Sequence, residues 1–316
     1  MQLNTKKQTV LVTGGAGFIG SHLVDRLIKE GYQVSVIDNL STGNQKNVNP
    51  KAHFYKIDIC SPKVVGIFKK EKPLVVFHLA AQINLRKSVT DPVEDARVNI
   101  LGSLNILQNF LYYSKVKPEK LKFIFASTGG AIYGEAKIRP TPETYPARPL
   151  SPYGCAKLAV ENYLNYYQKV FNLPVTILRL ANVYGPRQNP KSEAGVIAIF
   201  CEQMIKNKKI IIYGDGKQTR DFIYVEDVVN ALIAALNSKN IGVYNIGTEK
   251  ETNINTLFKK IKKFTNSKIR PIYKPVRQGE QKRSCLNCSL ARKKLKWQPK
   301  YDLDKGLEET INWFRL

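Results

Sequence analysis

Cysteine, histidine and methionine are all scarce in this chain of 316 residues, which has five, three and two of them. The cysteines, at 60, 155, 201, 285 and 288, form an odd and scattered set. That excludes a disulfide framework and points to reduced thiols in the cytoplasm. The one close pair, Cys285-Leu-Asn-Cys288, has no second pair and no histidine beside it, short of the about four ligands of a structural zinc site, so no metal is expected. His22, His53 and His78 fall within strand or helix-start motifs and are assigned no catalytic role. Long hydrophobic runs are missing too: none reaches the ~18 residues of a membrane-spanning helix. The apolar stretch after Lys6 and Lys7 ends by Thr13, too short for a signal-peptide core, and no membrane partner is expected.

Acidic residues are half as numerous as basic ones, 25 against 50, for a formal net charge of +25. So basic a chain invites a nucleic-acid reading. The excess is mostly lysine, however, and is spread along the sequence, densest at Lys259-Lys260, Lys262-Lys263 and Lys293-Lys294. Charge of this kind argues for solubility and non-specific attraction, and no specific nucleic-acid partner is expected. With 43% hydrophobic and 24% charged residues, the composition is that of an ordinary globular protein and excludes a disordered chain.

Apolar, β-rich runs alternate with helix-length segments through the first half. Candidate strands are Thr9–Val12, Val34–Ile37, His53–Ile57, Val75–His78, Phe123–Ala126 and Val175–Leu180. Helices are expected over Ser21–Glu30, Val98–Tyr113 and Tyr153–Phe171. Short continuous apolar strands alternating with helices predict an α/β fold with a doubly wound parallel sheet, the Rossmann arrangement. After about residue 180 the rhythm breaks at turn-rich stretches such as Gly185-Pro186 and Gly214-Asp215-Gly216. A smaller C-terminal α/β substrate-binding domain is therefore expected. The division is residues 1–180 with roughly 221–245 for the first domain, and 181–220 with 246–316 for the second.

Residues 13–20 read Thr-Gly-Gly-Ala-Gly-Phe-Ile-Gly between a strand and a helix, the context a dinucleotide-binding turn requires. Gly14 permits the tight turn, Gly17 lets the backbone approach a pyrophosphate at the helix N-terminus, and Gly20 allows close helix–strand packing. Phe18 and Ile19 lie in that same turn. Asp38 ends the next strand, followed by Asn39, and no arginine occurs from 39 to 45. A carboxylate there accepts hydrogen bonds from a ribose 2′-hydroxyl and repels a 2′-phosphate, so NAD is favoured over NADP.

Tyr153 and Lys157 are four residues apart behind Ser151-Pro152, a good helix start, so both face one side of a helix. A tyrosine acting as base near neutral pH needs its pKa lowered by about three units, or ~4 kcal/mol. An ammonium ~4 Å away supplies about that much at an effective dielectric near 20. The pair is therefore expected to be able to form a phenolate.

Ten motifs in one order, TGGAGFIGSH (13–22), DNLSTG (38–43), HLAAQ (78–82), NILGSLNIL (99–107), STGGAIYG (127–134), SPYGCAK (151–157), RLANVYGPRQ (179–188), RDFIYVEDV (220–228), YNIGT (244–248) and RQGE (277–280), cover nearly the whole chain. In them the chain resembles the extended short-chain dehydrogenases/reductases, and within these the nucleotide-sugar 4-epimerases of the UDP-glucose 4-epimerase type. The resemblance implies NAD-dependent epimerisation at C4 of a UDP-sugar through a 4-keto intermediate. It assigns Asp58 and Ile59 to the adenine, and Leu79, Ala80, Ala81 and Asn99 to the cofactor's surroundings. Tyr153 is the implied base, and Lys157 binds the nicotinamide ribose. Asn182, Arg220 and Arg277 would contact the substrate diphosphate and Glu280 the nucleoside ribose, while Ser284 falls where a small residue leaves room for N-acetylated sugars. Two arginines suit a diphosphate, since guanidinium groups bind phosphate in a bidentate manner.

The family places a Ser or Thr four residues before Tyr133, where this chain has Gly129. Thr128 is expected to supply that hydroxyl, with Ser127 as the alternative. A 4,6-dehydratase carries an acid pair where Gly129-Gly130 stands and is disfavoured. UDP-glucuronate epimerases and decarboxylases share the motif set, and a non-catalytic NAD-binding regulator is the reading from another class, although such proteins usually lose the Tyr–Lys pair. The resemblance also implies a homodimer, with Tyr163, Tyr166 and Tyr167 of the 153–171 helix facing the 98–113 segment.

Overall fold

The computed structural model describes residues 8–114, 116–191, 195–276 and 281–316. In chain order its strands are β1 (Thr9–Thr13), β2 (Gln33–Asp38), β3 (His53–Lys56), β4 (Val75–His78), β5 (Lys122–Thr128), β6 (Val175–Leu180), β7 (Asn182–Tyr184), β8 (Ile210–Tyr213), β9 (Thr219–Tyr224), β10 (Gly242–Ile246), β11 (Glu251–Asn253) and β12 (Pro271–Lys274). The α-helices are α1 (Phe18–Lys29), α2 (Val64–Glu71), α3 (Leu85–Thr90), α4 (Pro92–Ala96), α5 (Gly102–Tyr113), α6 (Gly129–Ile132), α7 (Pro152–Phe171), α8 (Val196–Ile205), α9 (Val225–Asn237), α10 (Ile254–Thr265), α11 (Ser289–Leu295) and α12 (Leu303–Arg315).

Seven strands pair in parallel in the spatial order β10-β6-β5-β4-β1-β2-β3. Residues 75–78 and 175–180 are buried throughout, as strands covered on both faces must be. Alternation along β1 divides the core: Val10 and Val12 pack with Leu23, Leu27 and Leu232 of α1 and α9. Leu11 faces the opposite layer, with Phe68, Phe110 and Leu164 from α2, α5 and α7. Strand order reverses at β1, which has β2 on one side and β4 on the other. In open sheets of this kind ligands bind beyond the carboxyl ends of the strands at that reversal.

A third core, under α8, α10 and α12, fills the smaller lobe, where β11-β9-β7 and β12-β8 form two short sheets. The chain re-enters the main sheet once more through β10, beside β6. Among the described residues no helix is long and apolar enough to cross a membrane.

Two helices differ from the sequence expectation. The first starts at Phe18 rather than Ser21, because extended Gly17 takes the N-cap position. The expected 98–113 helix is α5 preceded by a π-helical turn over Arg97–Leu101. Inside that turn the Asn99 carbonyl accepts the Ser103 hydroxyl at 2.6 Å, and the Asn99 amide holds both backbone groups of Gln82. Single π turns of this kind often mark functional sites.

Candidate active site

The residues expected to hold a dinucleotide gather at the β1–β4 reversal. Gly14 has φ +73°, and a Cβ there would stand 2.8 Å from Ala80 N, so only glycine lets the turn after β1 lie on the turn after β4. A Cβ at Gly20 would run into the Gly14 carbonyl. Gly17 caps α1 without any side chain reaching its first N–H groups, which leaves the positive end of the helix, at Phe18 and Ile19, available to an anion.

Asp38, at the end of β2, is pinned against this turn by hydrogen bonds from Ala16 N at 3.0 Å and Leu40 N at 2.8 Å. Burial raises its carboxyl above the ordinary value, and these two bonds oppose the rise. Asn39 donates to Asp58 at 2.9 Å. Burial pushes the Asp58 carboxyl up, but the hydrogen bonds from Cys60 and Asn39 leave it below the usual range. Ile59 is buried against Gly102 at the start of α5. Leu79 N and Ala80 N both donate to the Thr13 hydroxyl, at 3.2 and 3.1 Å, and half-buried Ala81 follows them. Free helical amides, glycines whose replacement would fill the cradle, and a carboxylate at the strand end fit an NAD dinucleotide.

The catalytic helix begins as expected. Ser151 accepts from Gly154 N at 3.2 Å, and Pro152 occupies the first turn of α7. Lys157 is 3% exposed; its Nζ donates to the Ala126 carbonyl at 3.0 Å and lies 4.6 Å from the Phe125 ring and 5.9 Å from the Tyr153 ring. Burial lowers its pKa to about 8, against the pull of the Asp95 and Glu161 carboxylates. Tyr153 is half-buried one turn before Lys157. Its phenol is raised above the ordinary value, first by burial and then by Asp95.

The hydroxyl-bearing turn separates its two candidates. Ser127 is buried and donates to Glu161 Oε1 at 2.6 Å, which commits its proton. Thr128 caps α6, its Oγ1 accepting from Ala131 N at 3.2 Å, so its own proton stays available. At Gly129 a Cβ would press into the buried Leu286 side chain, which occupies the space a Ser or Thr there would need. Asn182 lies alongside: its buried Oδ1 has no partner and stands 3.6 Å from where a Gly130 Cβ would be. An orphaned buried amide beside this turn fits a polar ligand.

On the substrate side, Asn182 of β7 pairs with Phe222 of β9, two residues past the half-buried Arg220 on one face of that strand. Ser284 is buried, with its N–H donating to the Thr219 carbonyl at 3.3 Å, so it lies at the start of β9. Arg277 and Glu280 fall outside the described residues. Cys285 and Cys288 are buried free thiols, and burial first, then Asp221, pushes Cys285 up to about 12.

Sequence reasoning missed three groups that hold these residues in place. Thr13, His78 and Ser103 form a buried chain to the Asn99 carbonyl, with links of 2.7, 2.8 and 2.6 Å. Since Ser103 donates onward, it accepts from His78 Nε2, and Nδ1 accepts from Thr13; burial lowers His78 to about 3, so the ring is neutral. Glu161 and Arg179 form a buried ion pair, closed at 2.6 Å, and Arg179 also donates to Tyr133 at 2.8 Å. Asp95, from α4, accepts from Gln82 at 2.8 Å and Asn99 at 3.0 Å. One signal was present: Glu161 lies four residues beyond Lys157, on the same helix face. Asp95 carries no local mark, and neither does the pairing of Arg179 with Glu161, because the fold alone packs α4 on α7 and brings β6 to Glu161.

Residues 10–247 match the profile of the NAD dependent epimerase/dehydratase family. A UDP-glucose 4-epimerase of Thermotoga maritima, solved with UDP-glucose, superposes with a TM-score of 0.94 at 49% identity, covering 98% of this chain and 99% of that one. A UDP-glucose 4-epimerase of Thermus thermophilus, solved with NAD, gives a TM-score of 0.91 at 40% identity with the same coverage of 98% and 99%. The UDP-glucose 4-epimerase of Mycolicibacterium smegmatis is 40% identical over 311 residues, 96% of this chain and 98% of that protein. With a glycine cradle, an acidic strand end and a Tyr–Lys helix face, and with this agreement over nearly its full length, the chain belongs to the NAD dependent epimerase/dehydratase family.

Proposed function

We propose that this protein is an NAD-dependent UDP-sugar 4-epimerase, interconverting UDP-glucose and UDP-galactose through a 4-keto sugar. The observation that carries this reading is Tyr153 and Lys157 on one face of α7, beside a Thr128 whose hydroxyl proton is uncommitted. Bound NAD supplies the hydride acceptor and a positive charge near the phenol. Tyr153 takes the proton of the sugar 4-hydroxyl and returns it, with Thr128 bridging the sugar oxygen and the phenol. Lys157, anchored on Ala126, holds the cofactor ribose and favours the phenolate. Asn182, Arg220 and Arg277 hold the diphosphate, and Glu280 the uridine ribose.

In this reading residues 1–180 with about 221–245 form the cofactor domain, although β9 at the division pairs in the small sheet, and 181–220 with 246–316 hold the sugar nucleotide. A 4,6-dehydratase would need acids at Gly129-Gly130, and at Gly129 the Leu286 side chain already fills the space. The protein works as a homodimer in the cytoplasm. The face of α5 and α7 that bears Tyr112, Tyr163, Tyr166 and Val170 is exposed, as a surface awaiting a second copy would be, and all five cysteines are free thiols.

The test is incubation of the purified protein with UDP-glucose, UDP-N-acetylglucosamine and UDP-glucuronate, without added NAD. UDP-galactose is the expected product of the first. The small, buried Ser284 predicts a product from the second as well. Tyr153→Phe is expected to lower turnover by about 10²–10⁴-fold while NAD binding survives. Persistent activity in that variant would overturn the mechanism.

A further inference from the structure

Among the described residues, Asp95 is a buried carboxylate near the Tyr153–Lys157 pair that, unlike Glu161, has no cationic hydrogen-bond partner. It is 1% exposed; Oδ1 accepts from Gln82 Nε2 and Asn99 Nδ2, while Oδ2 is buried with no hydrogen-bond partner. An unpaired buried carboxylate oxygen is costly unless a counter-charge faces it. Lys157 has the complementary deficit: an ammonium with three donors, 3% exposed, making one hydrogen bond, to Ala126. Helix α4, which carries Asp95, packs directly on α7, which carries Lys157 and Tyr153.

We infer that Asp95 is a positioning residue of the Tyr153–Lys157 pair, a built-in counter-ion that keeps Lys157 charged, opposes premature ionisation of Tyr153, and couples both to the cofactor-facing turn through Gln82 and Asn99. The inference rests on the reading of Tyr153 as the base. Its sense follows from charge: a carboxylate near both groups stabilises the ammonium and destabilises the phenolate, and both groups carry Asp95 among the causes of their shifted pKa.

The surrounding groups leave Asp95 this role. Glu161 also acts on Lys157, but it is already paired with Arg179 from β6. His78, from β4, is neutral, and Gln82 and Asn99 carry no charge. Arg86 and Lys87 of α3, which packs on both helices, are exposed. Glu94 and Arg97, on either side of Asp95, pair with each other. Asp95 also explains how Tyr153 can wait as a neutral phenol and become a base only when a cationic ring is present.

The test is a spectroscopic titration of tyrosinate absorbance on the protein as isolated, taking wild type minus Tyr153→Phe to isolate one phenol. In Asp95→Asn the ionisation step of that phenol moves down by about one pH unit, and the acid limb of the kcat profile moves down with it. Asp95→Glu is expected to restore both. A lower rate with neither step nor limb displaced would reduce Asp95 to a strut for Gln82 and Asn99 and overturn the inference. Should Asp95→Asn not fold, Asp95→Ser takes its place. Activity surviving in Tyr153→Phe would sink the epimerase mechanism, while the titration would still decide on Asp95.

Discussion

Two buried carboxylates flank Lys157, and the protein holds them in opposite ways. Glu161, one turn further along α7, is saturated: Arg179 donates to both its oxygens and Ser127 to Oε1. Asp95, across from α7 on α4, has one oxygen held by two amides and the other bare. The first arrangement is a strut. It ties α7 to β5 and β6, and its charge is cancelled on the spot. The second leaves charge uncancelled next to the reacting groups, where a small change in protonation is felt. A buried carboxylate thus serves rigidity when fully paired and reactivity when left half-paired.

Removing the saturated partner should do the most damage. Glu161→Ala strands the Arg179 guanidinium in the interior and is expected to cost about 3–5 kcal/mol in urea unfolding. Asp95→Asn keeps an acceptor for Gln82 and Asn99 and should cost less than ~1 kcal/mol. Equal losses would erase the distinction between the two sites. Gly129→Ala forces a methyl onto Leu286 and is expected to cost about 1–3 kcal/mol, partly recovered with Leu286→Val; a neutral Gly129→Ala would show that Leu286 does not set that position.

A pH-dependent effect concerns His78, hydrogen-bonded through Ser103 to the Asn99 that also holds Asp95. His78 has a folded pKa lowered to about 3, below its ordinary value. Between about pH 3 and 6.5 the unfolded chain therefore binds a proton the folded one does not, and stability falls as pH drops, by up to ~1.4 kcal/mol per unit. His78→Gln should be less stable at pH 7 but show a shallower decline across that window. Parallel declines would mean that His78 is not the group responsible.

Much of the molecule was legible in the chain. The strand–glycine–helix start, Asp38 at a strand end and the four-residue spacing of Tyr153 and Lys157 are local patterns, and they specify local geometry directly. The π turn at Arg97–Leu101 was not legible, since nothing in NILGSLNIL by itself calls for an extra residue in the helix; the need arises from Gln82, 17 residues away in sequence. The choice between Thr128 and Ser127 was also hidden. Both carry the same hydroxyl, and only the approach of Glu161 commits one of them.

By itself, then, the sequence determined the fold class, the glycine turn after the first strand and the Tyr153–Lys157 helix face, because each rests on periodicity or spacing within a few residues. Tertiary structure alone decided the electrostatics of that pair. The expectation for the phenolate counted the Lys157 ammonium and a nicotinamide charge and left out burial and Asp95, both of which raise the phenol in the folded protein. Desolvation and the position of a carboxylate 58 residues away from Tyr153 are properties of the packed interior, and no spacing along the chain encodes them.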